Sequence, residues 1–227
     1  NPITCSYTVT VEDNTPPTLT TSCDDITNQQ GSITVNTDEG KPTYTHPSDN
    51  ISWDVVATDN VGVVSKTWEL TGATQKSGEN SLAGVVFNVG TTTVTWTVKD
   101  EAGNTNYCSF DVIVEDAEDP TFIVDCTTIG DQEVSPNSPN NTYIHKGNSW
   151  DITAQDNSGT VNITWKLTGA TSDIGFNSLD GVSFNVGTTT VNWTIKDPSN
   201  NSINCSFNVV VEDNTPPQLL VDCDDII

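Results

Sequence analysis

The chain contains two copies of one sequence unit, and this internal repeat constrains its fold more than any other feature. The segment VVFNVGTTTVTWTVKD at residues 85–100 returns as VSFNVGTTTVNWTIKD at 182–197, with 13 of 16 positions identical. A second segment, CSYTVTVEDNTPP, begins at Cys5, and close copies of it begin at Cys108 and Cys205. Self-similarity at a nearly fixed interval is typical of arrays of like domains. We therefore predict a tandem array.

The repeat interval sets the domain boundaries. The chain of 227 residues begins without Met, inside a segment that has the pattern of a strand, and we expect it to be an internal fragment of a longer protein. We predict that residues 1–14 form the last strand of a preceding repeat. Residues 15–116 and 117–213 are then two full repeats, and residues 214–227 form the first strand of a following repeat.

The residue pattern within each repeat predicts β-strands. Val94, Trp96 and Val98 alternate with threonines in the segment TTTVTWTVKD, and period two with β-branched and aromatic residues marks half-buried strands. About seven such strands fit in roughly 100 residues, which is the size of an immunoglobulin-like sandwich. No segment has a helical period. The predicted fold class is all-β, with tandem immunoglobulin-like β-sandwich domains arranged end to end.

The six cysteines allow two disulfide schemes. One scheme crosses the junctions and pairs Cys5–Cys23, Cys108–Cys126 and Cys205–Cys223. The other closes each repeat and pairs Cys23–Cys108 and Cys126–Cys205, which leaves Cys5 and Cys223 with partners outside the fragment. In the first scheme each pair is 18 residues apart, about 55–60 Å if extended, whereas a disulfide needs a Cα separation of about 4.4–6.8 Å. The length of an extended 18-residue segment therefore favours the second scheme. The first scheme would require the chain to form a hairpin at the junction. Either scheme indicates an oxidising, extracellular setting.

Charge and motif content exclude several functions. The formal charge is −24, with 31 acidic and 7 basic residues, so no basic surface is available for nucleic acid. No apolar run has the roughly 20 residues of a membrane span. GxSxG and HExxH are absent, and His46 and His145 recur in similar contexts, which favours a structural role. We predict no catalytic residues and no enzymatic activity.

Acidic residues gather where the predicted strands bring loops together. In a sandwich, the incoming linker, the loop after the second strand and the turn before the last strand meet at one end of the domain. Carboxylate and amide oxygens in such number suit calcium, which takes six to eight oxygen ligands. The predicted calcium ligands of the first repeat are Glu12, Asp13, Asn14, Asp59, Asn60, Asp100 and Asn104. Those of the second are Glu115, Asp116, Asp119, Asp156, Asn157, Asp197 and Asn201.

Two non-enzymatic functions remain. The first is a structural stalk segment, whose partners are the neighbouring repeats of the same chain and whose linkers are stiffened by metal and by proline. The second is a module whose own loops bind a surface polysaccharide or another cell. The segments that differ most between repeats, 28–50 and 131–149, are where such binding is expected. Self-association through exposed strand edges is a third possibility.

The ordered motifs resemble a known family. The segments ATDNVG at 57–62, FNVGTTTVTWTVKDEAGN at 87–104 and CSFDVIVED at 108–116 resemble the hyalin repeat (HYR) domain, an extracellular immunoglobulin-like module. Tandem acidic repeats of this kind are similar to those of very large bacterial surface adhesins, including gliding adhesins of the SprB type. This resemblance implies cell adhesion, attachment to a bacterial outer membrane and gliding motility. The segment DNTPP is also similar to the calcium-binding linker of cadherins.

One turn of the second repeat departs from the family pattern. It has the sequence DPSNN at residues 197–201, where the family favours a D-x-x-G-N form. The conformation of this turn is therefore open at the level of sequence.

Overall fold

The computed structural model describes residues 2–216 and divides into two compact units after Ala117. The strands of the first unit are β1 (Thr18–Thr21), β2 (Ser32–Asn36), β3 (Thr43–Thr45), β4 (Val56–Thr58), β5 (Val63–Gly72), β6 (Lys76–Glu79), β7 (Val86–Asn88), β8 (Gly90–Asp100) and β9 (Thr105–Glu115). Those of the second are β10 (Thr121–Val124), β11 (Gln132–Val134), β12 (Thr142–Ile144), β13 (Thr153–Gln155), β14 (Asn162–Gly169), β15 (Asp173–Phe176), β16 (Ser183–Asn185), β17 (Gly187–Lys196) and β18 (Ser202–Val211).

The two units have the same sheet topology. In the first, a five-stranded sheet runs in the order β2-β9-β8-β5-β6, and β1-β4 and β3-β7 form two further pairs. The second repeats this with β11-β18-β17-β14-β15, β10-β13 and β12-β16. In each five-stranded sheet the first-named strand is parallel to its neighbour and the other pairings are antiparallel. The prediction of all-β, immunoglobulin-like sandwiches in tandem is confirmed.

The strand count differs from the prediction. The described part of each unit has nine strands rather than about seven. The number is higher because the segments outside the five-stranded sheet form four short strands, each of three or four residues. These short strands still contribute to one core: Leu19 of β1, Tyr44 of β3 and Phe87 of β7 pack in the same cluster as Trp96. Such short runs are too brief for sequence alternation to resolve.

The alternating residues of the long strands form the core of each unit. Val94, Trp96 and Val98 on β8 are fully buried, while the intervening threonines are partly exposed. In the second unit Val191, Trp193 and Ile195 on β17 take the same positions. This is the face that the sequence pattern predicts to be apolar.

Each unit is closed by one disulfide. Cys23 is bonded to Cys108 and Cys126 to Cys205, with a Cα separation of 5.7 Å in both pairs, so the structure contains the intradomain scheme. Cys5 is exposed and forms no disulfide within residues 2–216. Cys223 lies outside the described residues, and pairing of these two cysteines beyond the fragment stays a prediction.

One turn of α-helix begins at the first cysteine of each unit. Helix α1 (Cys23–Ile26) starts at Ser22, whose hydroxyl accepts from the backbone N–H of Asp25 while the Asp25 carboxylate accepts from the N–H of Ser22. Helix α2 (Cys126–Ile129) is capped by the carboxylate of Asp125. A helix of four residues has no measurable period, which is why the sequence pattern does not reveal either one.

The predicted flanking strands take part in no sheet of the described chain. Residues 2–17 and 212–216 are assigned to no strand, and residues 217–227 of the expected following repeat lie outside the described residues. Their assignment to neighbouring repeats stays a prediction. Within residues 2–216, none of the helices combines the length and apolarity required for a membrane span.

Candidate metal centres

Three aspartates from separate segments of the first unit converge. Asp13 belongs to the segment before β1, Asp59 follows β4, and Asp100 ends β8. A carboxylate oxygen from each lies within 4.8 Å of one from both others. The three loops that were predicted to share one end of the domain therefore meet, and each supplies one of the predicted ligands.

Asp100 is held by the turn between β8 and β9. Its side chain is completely buried, and its Oδ1 accepts hydrogen bonds from the backbone N–H groups of Gly103 at 2.6 Å and Asn104 at 2.7 Å. The amide of Asn104 donates to Asp100 Oδ2 at 2.8 Å. Gly103 has a φ of 98°, a conformation that glycine adopts without strain. The DEAGN sequence thus builds a turn that orients a buried carboxylate.

Local hydrogen bonds also orient the other two carboxylates. Asp59 Oδ1 accepts from the backbone N–H groups of Val61 at 2.8 Å and Gly62 at 3.0 Å. These bonds, that of Gly62 foremost, hold the pKa of Asp59 below its ordinary value. Asp13 Oδ1 accepts from the N–H of Thr15 at 3.0 Å. Both side chains are therefore fixed through one oxygen each.

The second oxygens of these two carboxylates are buried and unsatisfied. Asp13 Oδ2 and Asp59 Oδ2 have no hydrogen-bond partner among the described residues. A buried carboxylate oxygen without a partner is costly, and like charges at this distance repel. A bound cation would remove both penalties, and hard oxygen ligands suit calcium.

Two predicted asparagines support the cluster. The Asn60 side chain donates to Asp13 Oδ1 at 3.2 Å, and Asn104 Nδ2 donates to the backbone oxygen of Asp13 at 3.1 Å. Asn104 thereby connects the β8–β9 turn to the segment before β1. In both asparagines the side-chain oxygen is the atom that could bind a metal.

Glu12 and Asn14 lie at the margin of the cluster. Both are exposed, and Glu12 is not among the converging carboxylates. With Asn60 and Glu101 they line a shallow depression beside it. Their participation as ligands stays a prediction.

The second unit repeats the same construction. Carboxylate oxygens of Asp156 and Asp197 lie within 4.8 Å of each other. Asp156 Oδ1 accepts from the backbone N–H and the hydroxyl of Ser158, while Asp156 Oδ2 is buried without a hydrogen-bond partner in the described chain. Asp197 is buried and accepts from the backbone N–H of Asn201 at 2.8 Å and from its side chain at 2.7 Å.

The atypical turn of the second unit keeps the conformation of the first. Asn200 occupies the position of Gly103 and has a φ of 74°. Asparagine is among the few residues that adopt this region readily, which explains how DPSNN replaces the family pattern.

The remaining predicted ligands of the second repeat differ in exposure. Asp116, the counterpart of Asp13 at an interval of 103 residues, is 7% exposed, and Asn157 is partly buried. Glu115, the last residue of β9, and Asp119 are both exposed. As in the first unit, the exposed residues are the ones less suited to a metal centre.

One residue that positions the site carries no signal in the sequence. Asn106 on β9 donates from its side chain to the backbone oxygen of Pro17 at 2.9 Å, which fixes the end of the segment containing Asp13. The equivalent position in the second repeat is Ile203, so the repeat comparison could not identify it.

Comparison with known proteins reveals clear relatives. The chain is 31% identical over its full length to hyalin of Strongylocentrotus purpuratus and covers 16% of that protein. It is 32% identical to hyalin of Lytechinus variegatus, with 96% of this chain and 36% of that protein covered. It is also 32% identical, over 71% of its length, to 7% of the serine-rich adhesin for platelets of Staphylococcus aureus. The chain thus spans well under half of these relatives.

Solved structures resemble the chain only weakly. Drosophila N-cadherin EC1-3 matches with a TM-score of 0.32 and 12% identity, covering 88% of this chain and 68% of that one. The fibronectin(III)-like modules of Clostridium thermocellum CbhA match with a TM-score of 0.32 and 12% identity, over 87% and 94%.

The family comparison covers most of the chain. The HYR domain model matches twice in succession, at residues 12–114 and 115–211. These matches coincide with the repeated core, disulfide and acidic loops described above. The chain belongs to the HYR domain family.

Proposed function

We propose that this chain is a structural stalk segment of a large extracellular cell-surface adhesin. In this proposal the disulfides close each repeat, and calcium binds the aspartates that connect the segment entering a repeat to the body of that repeat. The observation that carries it is the convergence of Asp13, from the entering segment, with Asp59 and Asp100. A metal held by all three would restrain that segment.

The charge distribution supports calcium. A chain with formal charge −24 repels itself unless cations bind, and two buried oxygens of the first cluster lack partners among residues 2–216. Pro16 and Pro17 further stiffen the entering segment. Linkers between domains are flexible by default, so restraint at this point would turn an array of repeats into an extended, semi-rigid spacer.

The relatives support adhesion and an extracellular location. One of them is named as an adhesin for platelets, and structural disulfides persist in oxidising compartments. For the full protein we propose surface attachment or gliding motility, with attachment to the outer membrane of a bacterium. The neighbouring repeats of the same chain are its proposed partners.

Calcium binding is tested by calorimetric titration and by thermal unfolding of the chain. We expect saturation in the range of extracellular calcium modules, with Kd of about 0.1–1 mM. At calcium about 100 times Kd, the unfolding free energy should rise by about 2.7 kcal/mol. Asp59→Asn should weaken the titration, because it removes one charge of the cluster but leaves an oxygen to accept from Val61 and Gly62.

A matched control distinguishes a specific site from general screening. Asp49 is an exposed aspartate of the same unit and is not among the converging carboxylates, so Asp49→Asn should leave the titration unchanged. Equal effects of the two substitutions, or no heat of binding at millimolar calcium, would contradict the proposed metal centre. Scattering by a longer array of repeats would then test the stalk: its radius of gyration should increase with calcium.

A further inference from the structure

The two units differ sharply on the outer face of their five-stranded sheets. In the second unit, Ile174 and Phe176 on the edge strand β15 are 74% and 72% exposed. They lie opposite Lys166 and Thr164 of β14, whose side chains share the same face. Asn192 and Thr194 of β17 continue this face. We call these six residues the β15 face.

The same positions in the first unit have different chemistry. The residues opposite each other on β5 and β6 are Glu69 with Ser77 and Thr67 with Glu79, and Thr95 and Thr97 of β8 continue the face. The carboxylates of Glu69 and Glu79 therefore occupy the positions that Lys166 and Phe176 occupy in the β15 face. The backbone pairing is identical, so side-chain identity alone separates the two surfaces.

The β15 face is a cationic, partly apolar surface on a strongly acidic chain. None of its six residues is acidic, and Lys196 follows Asn192 and Thr194 along the exposed side of β17. Within residues 2–216, neither Lys166 nor Lys196 lies within 4 Å of a carboxylate, whereas Lys41 is paired with Asp38 at 3.3 Å. Unpaired ammonium groups here would attract an anionic ligand.

Both units have a shallow depression at this place, so chemistry and not shape separates the two faces. The depression of the second unit measures about 530 Å³ and is lined by the six residues together with Trp165 and Gly175, and that of the first unit measures about 680 Å³. The Asn192 amide is only weakly engaged, with hydrogen bonds of 3.3–3.4 Å. Exposed apolar patches rimmed by polar groups are typical of binding sites.

We propose that the β15 face binds an anionic polysaccharide, such as a polymer of uronic acids. The ring of Phe176 would pack against the apolar face of a pyranose ring, and the hydroxyl and amide groups of Thr164, Asn192 and Thr194 would bond to sugar hydroxyls. The ammonium groups of Lys166 and Lys196 would pair with sugar carboxylates. This proposal is independent of calcium binding and of the stalk function.

A polysaccharide fits this face better than a peptide strand does. The face is the flat side of the sheet, and the backbone groups of β14 are paired on both sides, with β15 and β17, so a ligand on this face meets side chains. The edge at which another strand could add is the outer side of β15, beside the face. A peptide adding to a sheet binds through its backbone at an edge. A polymer rich in hydroxyl groups uses the side-chain groups that are present.

The proposal is tested by exchanging residues of the β15 face with those at the same positions in the first unit. Lys166→Glu, Ile174→Ser and Phe176→Glu together give the second unit the residues that the first unit carries at the same register. The reciprocal variant is Glu69→Lys, Ser77→Ile and Glu79→Phe. Both variants should fold, because each arrangement already exists in one unit, and thermal unfolding verifies this. Binding to immobilised polygalacturonate is measured in chelator, which excludes calcium bridges, with dextran as the neutral control and polyaspartate as the anionic peptide control.

We expect the chain to bind polygalacturonate and neither control. The first variant should lose about tenfold or more in affinity, because the apolar contact with the sugar ring is removed and the charge at position 166 is reversed. The reciprocal variant should bind more strongly than the natural chain. Unchanged affinity in the first variant, or absence of polygalacturonate binding, would overturn the proposal. Equal binding of polyaspartate would also contradict the proposal, because the face would then bind any anionic polymer. If the natural chain self-associated with rising concentration and the first variant did not, the β15 face would instead mediate contacts between copies of the chain.

Discussion

The imidazole ring of His46 stacks on the indole of Trp53, with ring centroids 4.0 Å apart and planes inclined by 10°. His145 and Trp150 repeat this contact at 3.9 Å and 11°. Both histidines are at most 2% exposed, and no ring nitrogen of either lies in hydrogen-bonding geometry to a described residue. They are core residues of each sandwich, in agreement with the structural role expected from their recurrence.

Acid should destabilise the protein through these histidines. Burial lowers the pKa of both below the ordinary 6.5, and nearby groups, among them the carboxylates of Asp54 and Asp151, oppose this only in part. The unfolded chain therefore binds more protons than the folded one between the two pKa values, and stability rises with pH in that window. We expect the unfolding free energy to be constant above about pH 7.5 and to fall as the pH drops through 6.5.

Chemical unfolding between about pH 8 and 5 measures this effect. The double variant His46→Phe and His145→Phe keeps an aromatic ring against each tryptophan and should show a flat profile in this range. Carboxylates with a lowered pKa, such as that of Asp59, lose their contribution only near and below the ordinary 3.8. An equally steep profile in the double variant would contradict the role of the histidines.

Loss of a disulfide should destabilise one unit selectively. The Cys23–Cys108 bond closes a segment of 85 residues, for which the chain-entropy model gives about 4.5 kcal/mol. We expect the double variant Cys23→Ala and Cys108→Ala to lower the unfolding free energy of the first unit by about that amount. Hydrogen exchange of each unit, followed separately, measures it. Cys5→Ala is the control, because Cys5 is exposed and free of disulfides in the described chain, and a comparable loss in that variant would refute the interpretation.

The repeat interval and the alternation of residues within each repeat were sufficient to predict much of the fold. Because Trp96 and Trp193 occupy matching positions in long alternating segments, their burial and strand assignment followed from sequence. The extended length of the 18-residue interval between Cys108 and Cys126 favoured Cys108 as the partner of Cys23. The parallel pairing of β2 with β9 and the helical turn at Cys23 were not accessible, since both depend on tertiary contacts of segments too short to show a period.

The candidate site was predictable as a convergence of loops, but not in its detail. Asp13, Asp59 and Asp100 meet because strand direction in a sandwich dictates which loops share an end. Whether Glu12 or Asp13 points inward depends on local hydrogen bonds, here that from Thr15 to Asp13, which sequence alone does not determine. The β15 face was not predictable in the same way, because the residues that differ between the units there, such as Lys166 and Glu69, occupy single positions within strands that the two repeats share.

A glycine on each edge strand should be intolerant of any side chain. A Cβ at Gly78 would lie 2.2 Å from Cζ2 of Trp68, and one at Gly175 would lie 2.2 Å from Cζ2 of Trp165. We expect Gly175→Ala to cost about 1–3 kcal/mol, because overpacking must displace a largely buried indole. Ser77→Ala, at an exposed position of the equivalent strand in the first unit, should change stability by less than about 0.5 kcal/mol. Denaturant unfolding measures both, and a neutral Gly175→Ala would show that the indole can move freely.

Asp100 should be required for folding of its turn even without metal. Its buried carboxylate accepts from two backbone N–H groups and from the side chain of Asn104. Asp100→Ala leaves these donors unsatisfied, at a cost of about 1–3 kcal/mol. In chelator, we therefore expect a lower unfolding temperature and faster hydrogen exchange at Gly103 and Asn104. Asp59→Asn serves as the comparison, since it relieves repulsion with Asp13 and keeps an acceptor for Val61 and Gly62, so it should be neutral or stabilising in chelator. If Asp100→Ala matched the natural chain in chelator and differed only in calcium, the carboxylate would act through the metal alone and the turn would form without it.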